Sequence, residues 1–197
     1  GGSAGIPYDC AYMNEASTSI SMELIPGAYN KPIICDGNSC SHDYEGTWIA
    51  CNTNNTNPGG DNSFAATREK FLIGSNTATL IQEYLNSDNG KCEGSVALTK
   101  RWDYSVKDNG SRKVVEHNTD NVSVSMIDLT IENSYLSFND LSYIYDLKPD
   151  NETYLCGEVY WTGIENNING CQFKNWKTPD QGWTRKNIWY VDNNTFW

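Results

Sequence analysis

From Glu45 onward the chain alternates apolar and polar residues with a period of two, and this rhythm constrains its fold more than any other feature. Successive side chains of a strand point to opposite faces, so alternation marks a half-buried sheet. Val122, Val124 and Met126 alternate with Ser123 and Ser125, and Leu129 follows Asp128 near one end; Leu141, Tyr143, Tyr145 and Leu147 alternate with Ser142, Ile144 and Asp146. The pattern predicts strands over 45–51, 67–74, 77–85, 94–106, 112–117, 121–131, 134–138, 141–147, 154–161 and 187–192. Asp88-Asn89-Gly90, Asp108-Asn109-Gly110, Asn139-Asp140 and Asn193-Asn194 lie between them. Asn, Asp and Gly tolerate positive φ, which makes these intervals hairpin-turn chemistry. No helical period interrupts the series. The expected fold is all-β: an antiparallel up-and-down barrel of eight to ten strands, with a sandwich as the alternative. Twelve Tyr and seven Trp suit pleated, half-buried surfaces.

Residues 1–44 read differently, with Pro7, Pro26 and Pro32, three cysteines and little alternation beyond Ser19–Ile25. They are expected to form an irregular extension, with a short helix over 11–24, pinned by disulfide to the barrel domain at 45–197. Gly1-Gly2-Ser3-Ala4-Gly5 has no charged or apolar leader character, so any signal peptide is expected to have been removed or never to have been in this sequence. The segment reads as a flexible tether and resembles the Gly/Ser stretch behind the lipidated cysteine of mature bacterial lipoproteins.

Seven cysteines without a Cys-x-x-Cys or a Cys/His pair at zinc spacing point to disulfides and to an oxidising, exported setting: extracellular, cell-surface or periplasmic. Sequence alone leaves the connectivity open; spacing suggests Cys51 with Cys92 and Cys156 with Cys171, each pair clipping neighbouring segments, and Cys35 with Cys40 around a small loop. Cys10 is left for an interchain bond, a lipid or nothing. Sequons at Asn54, Asn109, Asn121, Asn151 and Asn193 number little more than chance supplies in a chain with 24 asparagines, but each lies at or beside an expected turn where a glycan would fit. The formal charge of −11 disfavours nucleic acid as a partner. No apolar run reaches the roughly 20 residues of a membrane-spanning helix.

Gly46-x-Trp48 at the start of the first expected strand resembles the first motif of the lipocalin-like families. So does the combination of Gly46–Cys51, Arg68-Glu69-Lys70-Phe71, and Tyr84 with Asp88 ahead of Cys92, which is similar to bacterial lipocalin-like lipoproteins and related secreted half-barrels. The resemblance implies that Gly46 permits a tight bend, that Trp48 plugs the closed end of a barrel, and that Arg185 covers Trp48 through a cation–π contact. It covers residues 45–192 at most. The second lipocalin motif is only half met by Asn139-Asp140-Leu141, and the helix that follows the last barrel strand has no counterpart.

Catalysis needs a constellation, and the sequence offers none. His42 and His117 are the only histidines, neither in a Gly-x-Ser-x-Gly or His-Glu-x-x-His setting. A non-enzyme without cofactor is expected. Calcium is the one ion the composition suggests, through Asp120, Asp128, Asp140, Asp146 and Asp150, although no Asp-x-Asp-x-Asp-Gly loop is present. The C-terminal third is dense in rings. Tyr160, Trp161 and Trp189 fall in expected strands, where Trp161 and Trp189 are expected to pack in the core, and Trp176 and Trp183 fall in a polar loop, where they are expected to be exposed. These five are the expected ligand-binding residues. The leading expectation is a small apolar or amphipathic ligand held inside the barrel. Alternatives are a structural or adhesive surface subunit that self-associates through Cys10 or the loop tryptophans, and a carbohydrate-binding module.

Overall fold

The computed structural model describes residues 22–24, 42–52, 64–86, 92–115, 121–192 and 195–196. Ten strands, β1 (Met22–Leu24), β2 (Gly46–Asn52), β3 (Ala66–Ile73), β4 (Thr77–Leu85), β5 (Val96–Val115), β6 (Asn121–Phe138), β7 (Asn166–Asn167), β8 (Thr184–Trp189), β9 (Val191–Asp192) and β10 (Thr195–Phe196), form one antiparallel sheet. The fold is all-β and up-and-down, as the alternation predicts. Its ladder runs β7-β6-β5-β4-β3-β2-β1-β10-β9, with β8 also on β6, and is not closed. The sheet curls nonetheless. β8 pairs with β6 at one flank, β9 pairs with β10 at the other, and Tyr190 alone separates them in the chain.

The two longest strands show how local chemistry reshapes the expected pattern. Asp108-Asn109-Gly110, expected to be a turn, is a bulge inside β5: Asp108 faces Ile127, Ser111 faces Ser125, and Gly110 takes φ +91° while its N–H donates to the Asp108 carboxylate at 2.6 Å. A second irregularity sits in β6, where Asp103 faces Asn133 but Tyr104 faces Ile131. Glu132 is the extra residue. It shifts the inward phase from Ile127, Leu129 and Ile131 to Ser134, Leu136 and Phe138, all buried. The expected strands 121–131 and 134–138 are therefore one strand with a phase slip, and 94–106 and 112–117 are likewise one.

Two expected strands are not strands. In 141–147 the Asp140 side chain accepts a bond from the Ser142 N–H and caps a 3-10 turn (Leu141–Tyr143), which runs into one helical turn, α1 (Ile144–Leu147). Residues 143 and 147 share a face in either geometry, so period two mimicked period four. Pro149 then holds Lys148 extended, at ψ 137°, and ends the helix. In 154–161 a 3-10 turn (Leu155–Gly157) with Cys156 at φ +57° replaces the strand.

The helix expected over 11–24 meets a similar correction at its described end, because Met22–Leu24 is β1, paired with both β2 and β10. The alternation in Ser19–Ile25 carried that signal. The rest of 11–24 lies outside the described residues, as do Cys10, Cys35, Cys40 and the tether.

Inside the curl the described core falls into two large clusters and a small third one of Ala66, Leu85 and Cys92. One large cluster packs Trp48, Phe71, Ile73, Ile127, Trp189 and Phe196; the other packs Tyr84, Leu98, Leu136, Phe138, Leu155 and Phe173. Two of the three expected disulfides are present, and Cys35–Cys40 lies outside the described residues. Cys51–Cys92 ties β2 to the segment before β5 with Cα atoms 5.8 Å apart, and Cys156–Cys171 closes the loop after α1 with Cα atoms 5.2 Å apart.

Candidate functional site

Residues 156–171 leave and rejoin the sheet at β6 and form a preorganised loop. Besides the disulfide, the Gly163 N–H donates to the Phe138 carbonyl at 2.7 Å and the Ile168 N–H to the Ser134 carbonyl at 2.8 Å. β7 pairs Asn166 and Asn167 with Leu136 and Tyr135. Gly163 makes the bend at φ +73°. Below the loop, Tyr160 is buried, edge-on to Phe138 at 5.3 Å, and its hydroxyl has no partner among the described residues. Burial pushes its pKa up to about 12, with the Glu158 carboxylate adding to the rise. Outside, a single Arg101 Nη1 donates to both Glu165 carboxylate oxygens at 2.9 and 2.7 Å, while the guanidinium lies 4.3 Å over the Tyr135 ring.

These anchors fix what the loop presents. Trp161 is 66% exposed, with Val159 and Ile164 exposed beside it. Every large apolar side chain left exposed among the described residues belongs to segment 141–183. Trp161, expected to pack in a strand, is thus the most open indole of the expected set. Its strand became a loop, which turned the ring outward.

Trp183 is 48% exposed, as its polar surroundings predicted. Its carbonyl accepts from the Ile131 N–H at 2.9 Å, and Gly182 before it turns at φ +82°. Trp161 and Trp183 therefore stand along the same edge of β6, against Phe138 and Ile131. Those residues are seven apart, or about 23 Å at a strand's rise per residue.

Trp189 is buried as expected, edge-on to Tyr44 at 5.0 Å and to Phe71 at 5.7 Å. Trp176 is only half-exposed. It stacks on Phe173 at 4.1 Å with the rings parallel, at the tip of a turn in which the Phe173 N–H donates to the Trp176 carbonyl at 2.7 Å.

The structural trio divides. Gly46 takes φ +146°, a conformation that favours glycine, and Trp48 is 1% exposed with its indole N–H donating to the Tyr44 carbonyl at 2.8 Å. Arg185 does not cover it. It lies exposed on β8 opposite Leu129, and the ring packed on Trp48 is Phe196, 5.3 Å away. β10 closes over Trp48 and leaves a cation no place there.

His42 stacks on Tyr44 at 4.8 Å and its Nδ1 lies 3.0 Å from the Glu45 carboxylate. The Tyr44 hydroxyl donates to Asp108 at 2.8 Å, which fastens the entry of β2 to the β5 bulge. Burial first, then the bond to Asp108, raises the Tyr44 pKa.

Among the described residues no three His, Cys, Asp or Glu side chains converge as a metal site. Of the aspartates read as calcium ligands, Asp140 caps the 3-10 turn, Asp150 pairs with Lys174 at 2.9 Å, and Asp128 lies in β6. Asp120 and the Asp146 side chain lie outside the description. Among the sequons, Asn151 is exposed in a turn, Asn109 lies in the bulge and Asn121 opens β6, whereas Asn54 and Asn193 fall outside.

Sequence reasoning missed a buried polar row on the inner face. Glu69 on β3 faces Gln82 on β4, which faces Lys100 on β5. Lys100 is 4% exposed, and its Nζ lies 4.0 Å from the Trp176 ring centroid, 5.3 Å from Tyr84 and 5.7 Å from Phe173. Desolvation lowers its pKa to about 7 and raises that of the buried Glu69. The signal was phase: Lys100 sits between Leu98 and Trp102 on the inward parity.

Compared with models of protein families and with curated proteins, the chain matches none.

Proposed function

We propose that this is a non-enzymatic, exported binding module that recognises an extended carbohydrate along the β6 edge, with Trp161 and Trp183 stacking on separate sugar rings. The observation that carries the reading is the exposure of Trp161 on a loop tied down at several points. A disulfide-closed loop, hydrogen-bonded to β6 and clamped through Arg101, holds an indole in water. Exposed rings lose hydration cost when a flat apolar face covers them, and indoles combine large area with little conformational entropy to surrender. Asn166, Asn167 and Thr162 lie close by in sequence and supply amide and hydroxyl groups for sugar hydroxyls.

Affinity gel electrophoresis against a panel of neutral polysaccharides tests the proposal. The wild-type chain should be retarded by at least one polysaccharide, and the Trp161→Ala/Trp183→Ala variant should migrate freely with an unchanged melting temperature. No retardation across the panel, or undiminished retardation of the double variant, refutes it.

A second reading, an amphipathic small molecule inside the sheet, draws on the polar row between the two apolar clusters. It predicts quenching of tryptophan fluorescence on titration with fatty acids. The contacts among Trp48, Phe71, Trp189 and Phe196 fill one end of that interior and favour the surface reading.

A further inference from the structure

We propose that Lys100 and Gln82 become joined within the chain by an amide bond that forms without an enzyme, stapling β5 to β4, and that Glu69 and Tyr84 assist its formation. This goes beyond the carbohydrate reading and does not depend on it. Lys100 and Gln82 are directly opposed in the antiparallel ladder. Opposed side chains have Cβ atoms about 5 Å apart, well within the length of a lysine side chain.

The Gln82 amide is gripped at both ends. Its Nε2 donates to Glu69 Oε1, and its Oε1 accepts from the Tyr84 hydroxyl at 3.2 Å. Lys100 has no hydrogen bond or ion pair with any described side chain, although its partners on the same row are polar. Phe173 and Trp176 roof it, and that roof is fastened by Cys156–Cys171 and by the Thr178 hydroxyl, which accepts from the Cys171 N–H at 2.8 Å. A buried lysine with three aromatic neighbours and no counter-charge among the described residues is costly to maintain as a cation.

The chemistry balances without an oxidant or a second substrate. The uncharged Lys100 Nζ attacks Gln82 Cδ, and the Tyr84 hydroxyl donates to the oxygen as charge gathers there. The Cδ–Nε2 bond breaks as the Nζ–Cδ bond becomes an amide. The proton given up by Nζ reaches Nε2 by way of Glu69, and ammonia leaves. Burial favours the reactive forms of both flanking groups, since it disfavours the ammonium of Lys100 and the carboxylate of Glu69. In an exported protein such a bond does the work of a disulfide but resists reductant.

Mass spectrometry of the full, reduced chain tests this. The wild-type mass should fall short of the sequence mass by one ammonia, while Lys100→Arg and Gln82→Ala should show the full mass. Trypsin cannot cut after an acylated lysine, so digestion should yield a branched peptide joining residues 71–91 to residues 92–101. A wild-type chain at full mass with both peptides linear overturns the proposal, as does an ammonia deficit that persists in Lys100→Arg. The wild-type result is decisive whether or not the variants fold.

Discussion

Tyr160→Phe isolates the anchor beneath the exposed loop. The ring is 5% exposed and edge-on to Phe138, a contact phenylalanine keeps, while the hydroxyl it loses is buried with no partner among the described residues. A buried, unsatisfied polar group costs about 1–3 kcal/mol, so its removal should stabilise the protein at pH 7 by about 1 kcal/mol. The pH dependence gives an independent check. The folded-state pKa is raised to about 12 from 10.0, so this group's contribution to stability is complete below pH 10 and is lost as pH rises toward 12. Between those values the unfolded tyrosine has released its proton and the folded one has not. At pH 11 the wild type should have lost about 1 kcal/mol through Tyr160 alone, and the variant should lack that part of the decline. Urea unfolding at pH 7, 9 and 11, read by far-ultraviolet circular dichroism, measures both effects. A variant destabilised by more than about 1 kcal/mol at pH 7 would mean that the hydroxyl is bonded, and the anchor as described would be wrong.

Removing the two described disulfides one at a time should separate stability from recognition. Closing the 15-residue separation of Cys156–Cys171 is worth about 3 kcal/mol by the chain-entropy model, so Cys156→Ala/Cys171→Ala should lose about that much in denaturant titration. It should also lose polysaccharide retardation, because the loop carrying Trp161 loosens. Cys51→Ala/Cys92→Ala, with a separation of 41, should lose about 4 kcal/mol yet keep the retardation at temperatures where it stays folded.

What was legible in the sequence was whatever depends on neighbours along the chain. Alternation located β2, β3 and β4 within a residue, since each is a clean period-two run between turns. It erred where a local bond competed. Asp108-Asn109-Gly110 has the composition of a turn, but sequence does not say whether the strands it joins fold back there or continue along a common partner; β6 decided for continuation. Asp140 capped a helical turn within a pattern that also fits a strand. The phase slip at Glu132 split one strand into two for the same reason that it keeps both halves buried.

Contacts between distant segments were less visible. Spacing suggested the Cys51–Cys92 and Cys156–Cys171 pairs without fixing them, whereas Arg185 was placed over Trp48 only by resemblance, and Phe196 occupies that position. The row Glu69–Gln82–Lys100 depends on the register of three strands, which no single strand reveals. Trp161 was misjudged because its exposure depends on whether 154–161 pairs in the sheet, and a left-handed residue at Cys156 prevents that.

The account rests on an indole held in water by a tied-down loop, beside a sheet whose core rings, Trp48 and Trp189 among them, are enclosed. Nuclear magnetic resonance of the 15N-labelled chain, comparing solvent exchange of the tryptophan side-chain N–H groups with backbone order at the same residues, tests this directly. The Trp161 indole should exchange rapidly while its backbone is as ordered as β6, with S² about 0.85, and Trp48, bonded to the Tyr44 carbonyl, should exchange slowly. A protected Trp161 indole, or a backbone there with S² below about 0.6, would contradict it.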